Sequence, residues 1–149
     1  MHVLLEGLGK NLATFTCKLA EQDKTEAELD QRYAHMAKTG ALRCGAVETS
    51  EQSTKFAAGI SHLHYQTAHE VLPMLLQLPV VLGVDQDIIK SAVSERKVHE
   101  ALRLYLCVCR SVWCEQHTLA SLAAMEVQTD EFLAAVIAAF PDGSGSDFK

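Results

Sequence analysis

The chain has 149 residues, 48% hydrophobic and 21% charged, an ordinary globular composition long enough to bury a core as one domain. Its formal charge of −6, with Arg96–Lys97 the only adjacent basic pair, argues against a nucleic-acid backbone or an anionic membrane as default partner. Eight Gly and three Pro among abundant Ala and Leu favour helices over a turn-rich β fold, so an all-α helical bundle of four to six helices is expected.

The opening segment, MHVLLEGLGK, lacks a basic n-region and its apolar run is amphipathic, so no signal peptide is expected. Leu5, Leu8, Leu12, Phe15 and Leu19 recur at three and four residues, the spacing of one helix face. Leu29, Tyr33 and Met36 continue that stripe, but Gln22 and Glu26 interrupt it. Residues 3–37 therefore form either one extended helix with a polar waist or a helical hairpin broken near Asp23. Thr25 with Glu28 reads as a capping box and favours the break. The stripe has coiled-coil spacing, and Leu5, Leu8, Leu12, Phe15 and Leu19 are expected to contribute to a protein–protein contact.

Residues 40–48 hold Gly40 and Gly45 without periodicity and read as a loop. Thr49-Ser50-Glu51-Gln52 supplies capping chemistry for a helix over 51–71, with Phe56, Ile60, Leu63 and Thr67 facing inward. From Phe56 to Val84 the one charged residue is Glu70, which marks the centre of the fold. Pro73 should end or kink that helix, and residues 79–83 read as a short apolar connection. The apolar run over 71–84 spans about half of a bilayer and contains two prolines, which excludes it as a membrane helix.

Asp85 is placed to cap a helix starting near Gln86, with Ile88, Ile89, Ala92, Leu102, Tyr105, Cys109, Val112 and Trp113 on its apolar side. Arg96, Glu100, Arg103 and Arg110 line the other side, and the helix is expected to extend as far as Ala124. Thr129-Asp130-Glu131 caps a last helix carrying Phe132, Leu133, Val136, Ile137 and Phe140, and Pro141 stops it. A single helical domain over 1–140 and a disordered tail over 141–149 complete the expected organisation. Phe56, Ile60, Leu63, Leu102, Tyr105 and Val112 are expected in its core.

The histidines of the central segment invite a metal reading that helical geometry opposes. His62 and His69 share a helix face but are separated by about 10 Å of rise, and His64 lies roughly 200° round from His62. One ion with ligands about 2 Å away cannot bridge that span. His62 and His69 remain candidates for a pocket that binds a small molecule near residues 62–82. In CVCRSVWCEQH, Cys107 and Cys114 are two helical turns apart and Cys109 faces away. Cys114 and His117 could share an ion at i, i+3, beside the fixed charge of Arg110, which would repel it. No metal site and no cofactor are expected. The odd count of five cysteines fits a reduced, intracellular and cytoplasmic protein. Trp113 is read as a core anchor, or as an interface residue if exposed.

Two resemblances touch the same segment. WCEQHTLASLAAMEVQTDEF is similar to the carboxymuconolactone decarboxylase and alkylhydroperoxidase-like families, in which a cysteine-bearing helix precedes a His and a capped helix. Ser111 occupies the first cysteine position and His117 follows Cys114 by three rather than four residues, which removes the disulfide chemistry that the resemblance would imply. Arg110 and His117, six residues between them, resemble the Arg-x(4–6)-His spacing of the all-α HEPN superfamily, many of whose members are ribonucleases. That resemblance implies a His that moves protons and an Arg that stabilises phosphate charge. Without a nucleophile elbow, P-loop or dinucleotide fingerprint, the leading expectation is a non-enzymatic interaction or assembly subunit of a homo- or hetero-oligomer. The partner is a protein or a second copy. The alternatives are the HEPN-like ribonuclease and the small-molecule-binding domain.

Overall fold

The computed structural model describes residues 7–39, 60, 68–83, 87–114 and 116–141, with the side chains of 37–39 and 68–73 excepted. It is all-α: among the described residues there are five helices and no strand. They are α1 (Lys10–Gln22), α2 (Glu26–Thr39), α3 (Ala68–Leu82), α4 (Ala92–Val112) and α5 (Leu119–Ala139). The chain divides into two compact units, Met1–Ala92 and Val93–Lys149.

In the first unit α1, α2 and α3 pack against one another. The N-terminal stripe does break near Asp23. Lys24 takes the left-handed conformation at φ 59°, its N–H reaches Glu21 O at 3.0 Å, and Thr25 N–H reaches Ala20 O at 2.8 Å. Those two bonds form a Schellman motif, which satisfies the last carbonyls of α1 and reverses the chain. The capping box expected from Thr25 and Glu28 takes another form. The Thr25 hydroxyl donates to Ile88 O at 2.6 Å and lies 3.2 Å from Ala20 O, while Glu28 pairs with Arg32 at 2.7 Å. Asp23 accepts the Lys90 N–H at 2.8 Å. The turn between α1 and α2 thus clasps residues 88–90, where Ile88 and Ile89 are buried in a bend. A helix from Gln86 is therefore displaced: α4 begins at Ala92, because side chains of the first turn hold the backbone just before it.

Helix α3 runs through both Pro73 and Pro79, where an end and a connection were expected. A proline inside a helix costs about 3 kcal/mol, and packing offsets it here. Met74, Leu75, Leu78, Val81 and Leu82 recur at helical spacing and all are buried. Pro79 has no N–H for the Leu75 carbonyl, and beside that gap the buried Tyr33 hydroxyl donates to Met74 O at 2.9 Å. Ile60 lies in a bend, not mid-helix; its N–H donates to Asp30 at 2.7 Å and its side chain is buried. The rest of the expected helix before Ala68, with Phe56 and Leu63, lies outside the described residues.

The second unit is a pair of antiparallel helices. Ser111 donates to Gln128 at 2.7 Å, and Tyr105 meets Phe132 with ring centroids 5.6 Å apart, so falling numbers on α4 face rising numbers on α5. Two facing aromatic rings contribute beyond their buried area, on the order of 1 kcal/mol. Leu102 and Tyr105 are buried and Val112 is half-buried. The boundary between these helices corrects the expected one. Helix α4 stops at Val112 instead of continuing to Ala124, and α5 starts at Leu119 instead of after Thr129. Thr118 and Ser121 cap each other's backbone N–H groups at 3.1 and 2.9 Å, a reciprocal box. Thr129 lies mid-helix and returns its hydroxyl proton to Met125 O at 2.8 Å. The helix ends at Ala139, ahead of Pro141, as expected. Residues 142–149, the expected disordered tail, lie outside the described residues.

Candidate functional site: an uncovered apolar helix face

The N-terminal stripe is covered within its own unit. Leu12 and Phe15 are buried, Leu8 and Leu19 half-buried, and Leu29 and Tyr33 buried below them, so this seam is core at the positions that matter most for a partner. Leu5 lies outside the described residues. So do His62 and His64; His69 is on α3, its side chain not described. Among the described residues no group of three or more His, Cys, Asp or Glu side chains converges as metal ligands would. No helix is long and apolar enough to cross a membrane, again among the described residues.

Ending α4 at Val112 moves Cys114 and His117 off the helix on which their pairing was argued. Cys107 is half-buried, Cys109 buried and Cys114 exposed, with Cys114 Sγ 3.6 Å from Arg110 O. Burial pushes the Cys109 thiol above its ordinary pKa, against the smaller opposing effect of its hydrogen bond with Tyr105. Arg110 is exposed in the last turn of α4, and His117 is exposed on the connection beyond. Neither lines a cavity described below. Trp113, at the same turn, is exposed as an interface residue would be.

Arg32 organises one end of the first unit. Its guanidinium donates to Val81 O at 3.1 Å, pairs with Glu28 at 2.7 Å and reaches Asp87 at 3.2 Å. A cation on the last carbonyls of α3 opposes the negative end of that helix. Burial alone would lower its pKa, but the bonds to Glu28 and Asp87 outweigh that and hold it above the usual value. Gly83 follows at φ +72°, a left-handed conformation that L side chains rarely adopt, while a Cβ there would meet Arg32 Nη1 at 3.4 Å, an ordinary contact. An open cavity of about 560 Å³ borders this cluster, lined by Arg32, His35 and Met36 of α2 and by Val80 and Val81 of α3. A smaller one of about 310 Å³ lies in the second unit, between Val93, Arg96, Lys97 and Glu100 of α4 and Ala135 and Ala138 of α5.

The largest chemical anomaly is α5 itself. Apolar residues occupy every side of it, a pattern of helices that are enclosed. Yet only Phe132, Val136 and Ala139 are buried, while Leu119 is 88%, Ile137 58% and Val127 57% exposed. Leu122 and Leu133 are exposed as well. Leu119 with Leu122 and Leu133 with Ile137 form two exposed apolar groups on one side of the helix, with exposed Glu126 and Asp130 between them, and grouped exposure of this kind marks a binding face more than scattered leucines do. Sequence reasoning missed it because a boundary placed at Thr129 divides the face between two helices. The polar run Cys114 to Thr118, with Ser121 three residues on, carried the correct boundary.

Fold and surface together define a class, an all-α helical protein in which, among the described residues, one helix exposes apolar side chains. No family model, curated protein or solved structure matches the chain.

Proposed function

We propose that the chain is a non-enzymatic α-helical interaction or assembly subunit that works in a homo- or hetero-oligomer. The observation that carries this reading is the apolar surface of α5, exposed at Leu119, Leu122, Val127, Leu133 and Ile137. Burying four or five such side chains against a partner is worth several kcal/mol, at about 25 cal/mol per Å² of apolar area. Exposed Trp113, just beyond the end of α4, is of a residue type enriched at interaction hot spots. The contact is thus moved from the N-terminal stripe to the C-terminal helix.

A second reading, a small-molecule-binding domain, draws on the cavity beside Arg32, whose size is in the range of ligand pockets. Its main polar group is already engaged by Glu28, Asp87 and Val81 O, so Arg32 has little left to offer a ligand. A ribonuclease would have to operate with Arg110 and His117, both exposed around the end of α4.

Photo-crosslinking residues introduced one at a time at positions 122, 137 and 103 of the full chain test the proposal in the cells that make it. Position 103 is the control, because Arg103 is exposed and occupied by Glu100 at 2.6 Å. Discrete adducts from 122 and 137 but not from 103, with either a second copy or another protein, are expected. Equal or absent adducts from all three, together with a monomeric solution mass, would discard the interaction reading.

A further inference from the structure

The exposed surface of α5 contains one straight line of side chains with a distinct charge pattern. Positions 119, 122, 126, 130, 133 and 137 follow one another at three or four residues and so lie along one side of the helix. The line runs about 27 Å at 1.5 Å per residue. Leu119 and Leu122 occupy one end, Leu133 and Ile137 the other, and exposed Glu126 and Asp130 sit between them. Helix α5 contains no Lys, Arg or His to offset these acids. The remaining acid, Glu131, is directed elsewhere: it adds to the field that raises the Arg103 pKa, after the larger contributions of Glu100. A partner for this line must therefore be apolar at both ends and positive in the middle.

That requirement sorts the occupants. In an antiparallel pairing of two copies of α5, Leu119 meets Ile137 and Leu122 meets Leu133, which sets Glu126 against Asp130 twice. In a parallel pairing Glu126 faces Glu126 and Asp130 faces Asp130. Both arrangements bring four carboxylates together inside an apolar strip, where like charges are costly. An anionic lipid surface meets the same two acids with the same sign. A helix with a basic middle has none of these conflicts, and α5, without Lys, Arg or His, is not such a helix. The apolar anchors of an amphipathic partner helix recur at three and four residues, matching a straight line of this length.

We infer that this line on α5 seats an amphipathic helix of a different protein, with apolar side chains near both ends and Lys or Arg at its middle. The inference rests on the interaction reading above and adds the identity of the partner's chemistry. Glu126 and Asp130 select the partner and set its register, and the four aliphatic residues supply the apolar contact.

Three fluorescent synthetic peptides of 21 residues, the length of α5, provide the test against the full chain by fluorescence anisotropy. The first carries apolar residues at matching spacing with two central lysines, and the second replaces those lysines by glutamates. The third has the composition of the first with its apolar residues moved off the line, which controls for simple attraction to an acidic protein. The first should bind at least about tenfold tighter than either of the others. The double variant E126K/D130K should reverse the order of the first two without shifting the thermal midpoint, since both residues are exposed. Equal affinities, no binding of the first peptide, or an unreversed order would overturn the inference. So would a neutral-pH dimer of the chain alone that L122E dissociates, because the occupant is then a second copy. Crosslinks from positions 122 and 137 that persist while the peptide order fails leave the interaction reading standing and remove this inference. Loss of both removes both.

Discussion

Cys17 shows how one buried side chain ties stability to pH. It lies on the inner face of α1, its Sγ 4.0 Å from Ile60 O, and burial pushes the thiol up to about 12, with Asp30 and then Glu26 adding to the shift. Below pH 9 the thiol is protonated in both folded and unfolded chains, and its full contribution is present. As pH rises past the unfolded value of 9.0 the unfolded chain releases its proton first, so stability falls until the folded value is reached. Between pH 8 and 10.5 this group alone should remove about 2 kcal/mol. Tyr33 is shifted up by burial in the same sense, then by Cys17, and adds to the alkaline loss. Cys17→Ala should therefore lose less stability than the parent chain over that interval, as read by urea unfolding at both pH values. An identical loss in the two proteins would contradict the assignment. In the folded chain at pH 8, exposed Cys114 should react with a thiol reagent while Cys17 and Cys109 are protected.

Arg32 makes a second prediction at the same scale. Arg32→Lys keeps the charge but loses the fork that reaches Val81 O, Glu28 and Asp87 together, and should cost about 1–3 kcal/mol. Gly83→Ala should cost about 1 kcal/mol by itself, because φ +72° disfavours a Cβ. Chemical denaturation of the two single variants and of the pair gives the comparison. Neither residue stands out in the sequence, since a guanidinium reaching 49 residues along the chain to Val81 leaves no local pattern.

Among the elements, α5 separates two accounts of where a helix begins. Thr118→Ala removes the cap that closes on Ser121 and should cost about 1 kcal/mol. Thr129→Ala removes a hydroxyl that only back-bonds to Met125 O, so it should be near neutral or mildly stabilising. If the helix began after Thr129 the two effects would be exchanged. Phe132→Ala, which removes the ring against Tyr105, should cost about 3–5 kcal/mol. The sequence contained signals for both boundaries, and local chemistry favoured the wrong one. Thr129-Asp130-Glu131 has the stronger acidic capping pattern, but Phe132 and Gln128 must both face α4, and one unbroken helix achieves this. The prolines of α3 follow the same logic in reverse. Their local penalty is real, and the burial of Met74, Leu75, Leu78, Val81 and Leu82 exceeds it.

For the molecule as a whole, the two apolar stripes should respond in opposite ways to charge. Leu12→Glu in the N-terminal stripe should unfold the first unit, because it buries an unpaired carboxylate where Leu12 is now fully enclosed. The double substitution L122E/I137K on α5 should change stability by no more than about 0.5 kcal/mol, as exposed positions do, while abolishing crosslinks at the neighbouring exposed position 133. Circular dichroism melts paired with crosslinking separate the two outcomes. A stable L12E protein, or an unfolded L122E/I137K protein, would exchange the roles of core and surface.

The all-α class was legible at once, since it follows from composition and from periodicities of three and four that any helix must show. The break near Asp23 was only half legible: Gln22 and Glu26 empty the stripe there, but one helix with a polar waist fits the same pattern, and the left-handed turn at Lys24, which no glycine marks, is what separates the two. The exposed side of α4 was plain, because Arg96, Glu100, Arg103 and Arg110 cannot be buried without partners. What tertiary structure decided was which of two adequate apolar stripes is covered. Leu12, Phe15 and Tyr33 on one side, and Leu119, Leu122 and Ile137 on the other, have similar spacing and similar hydrophobicity. Spacing shows that a face is apolar; only the placement of other helices across it decides whether water or protein lies there. In this chain α1, α2 and α3 cover one another, and α5 retains an apolar face that its contacts with α4 leave open.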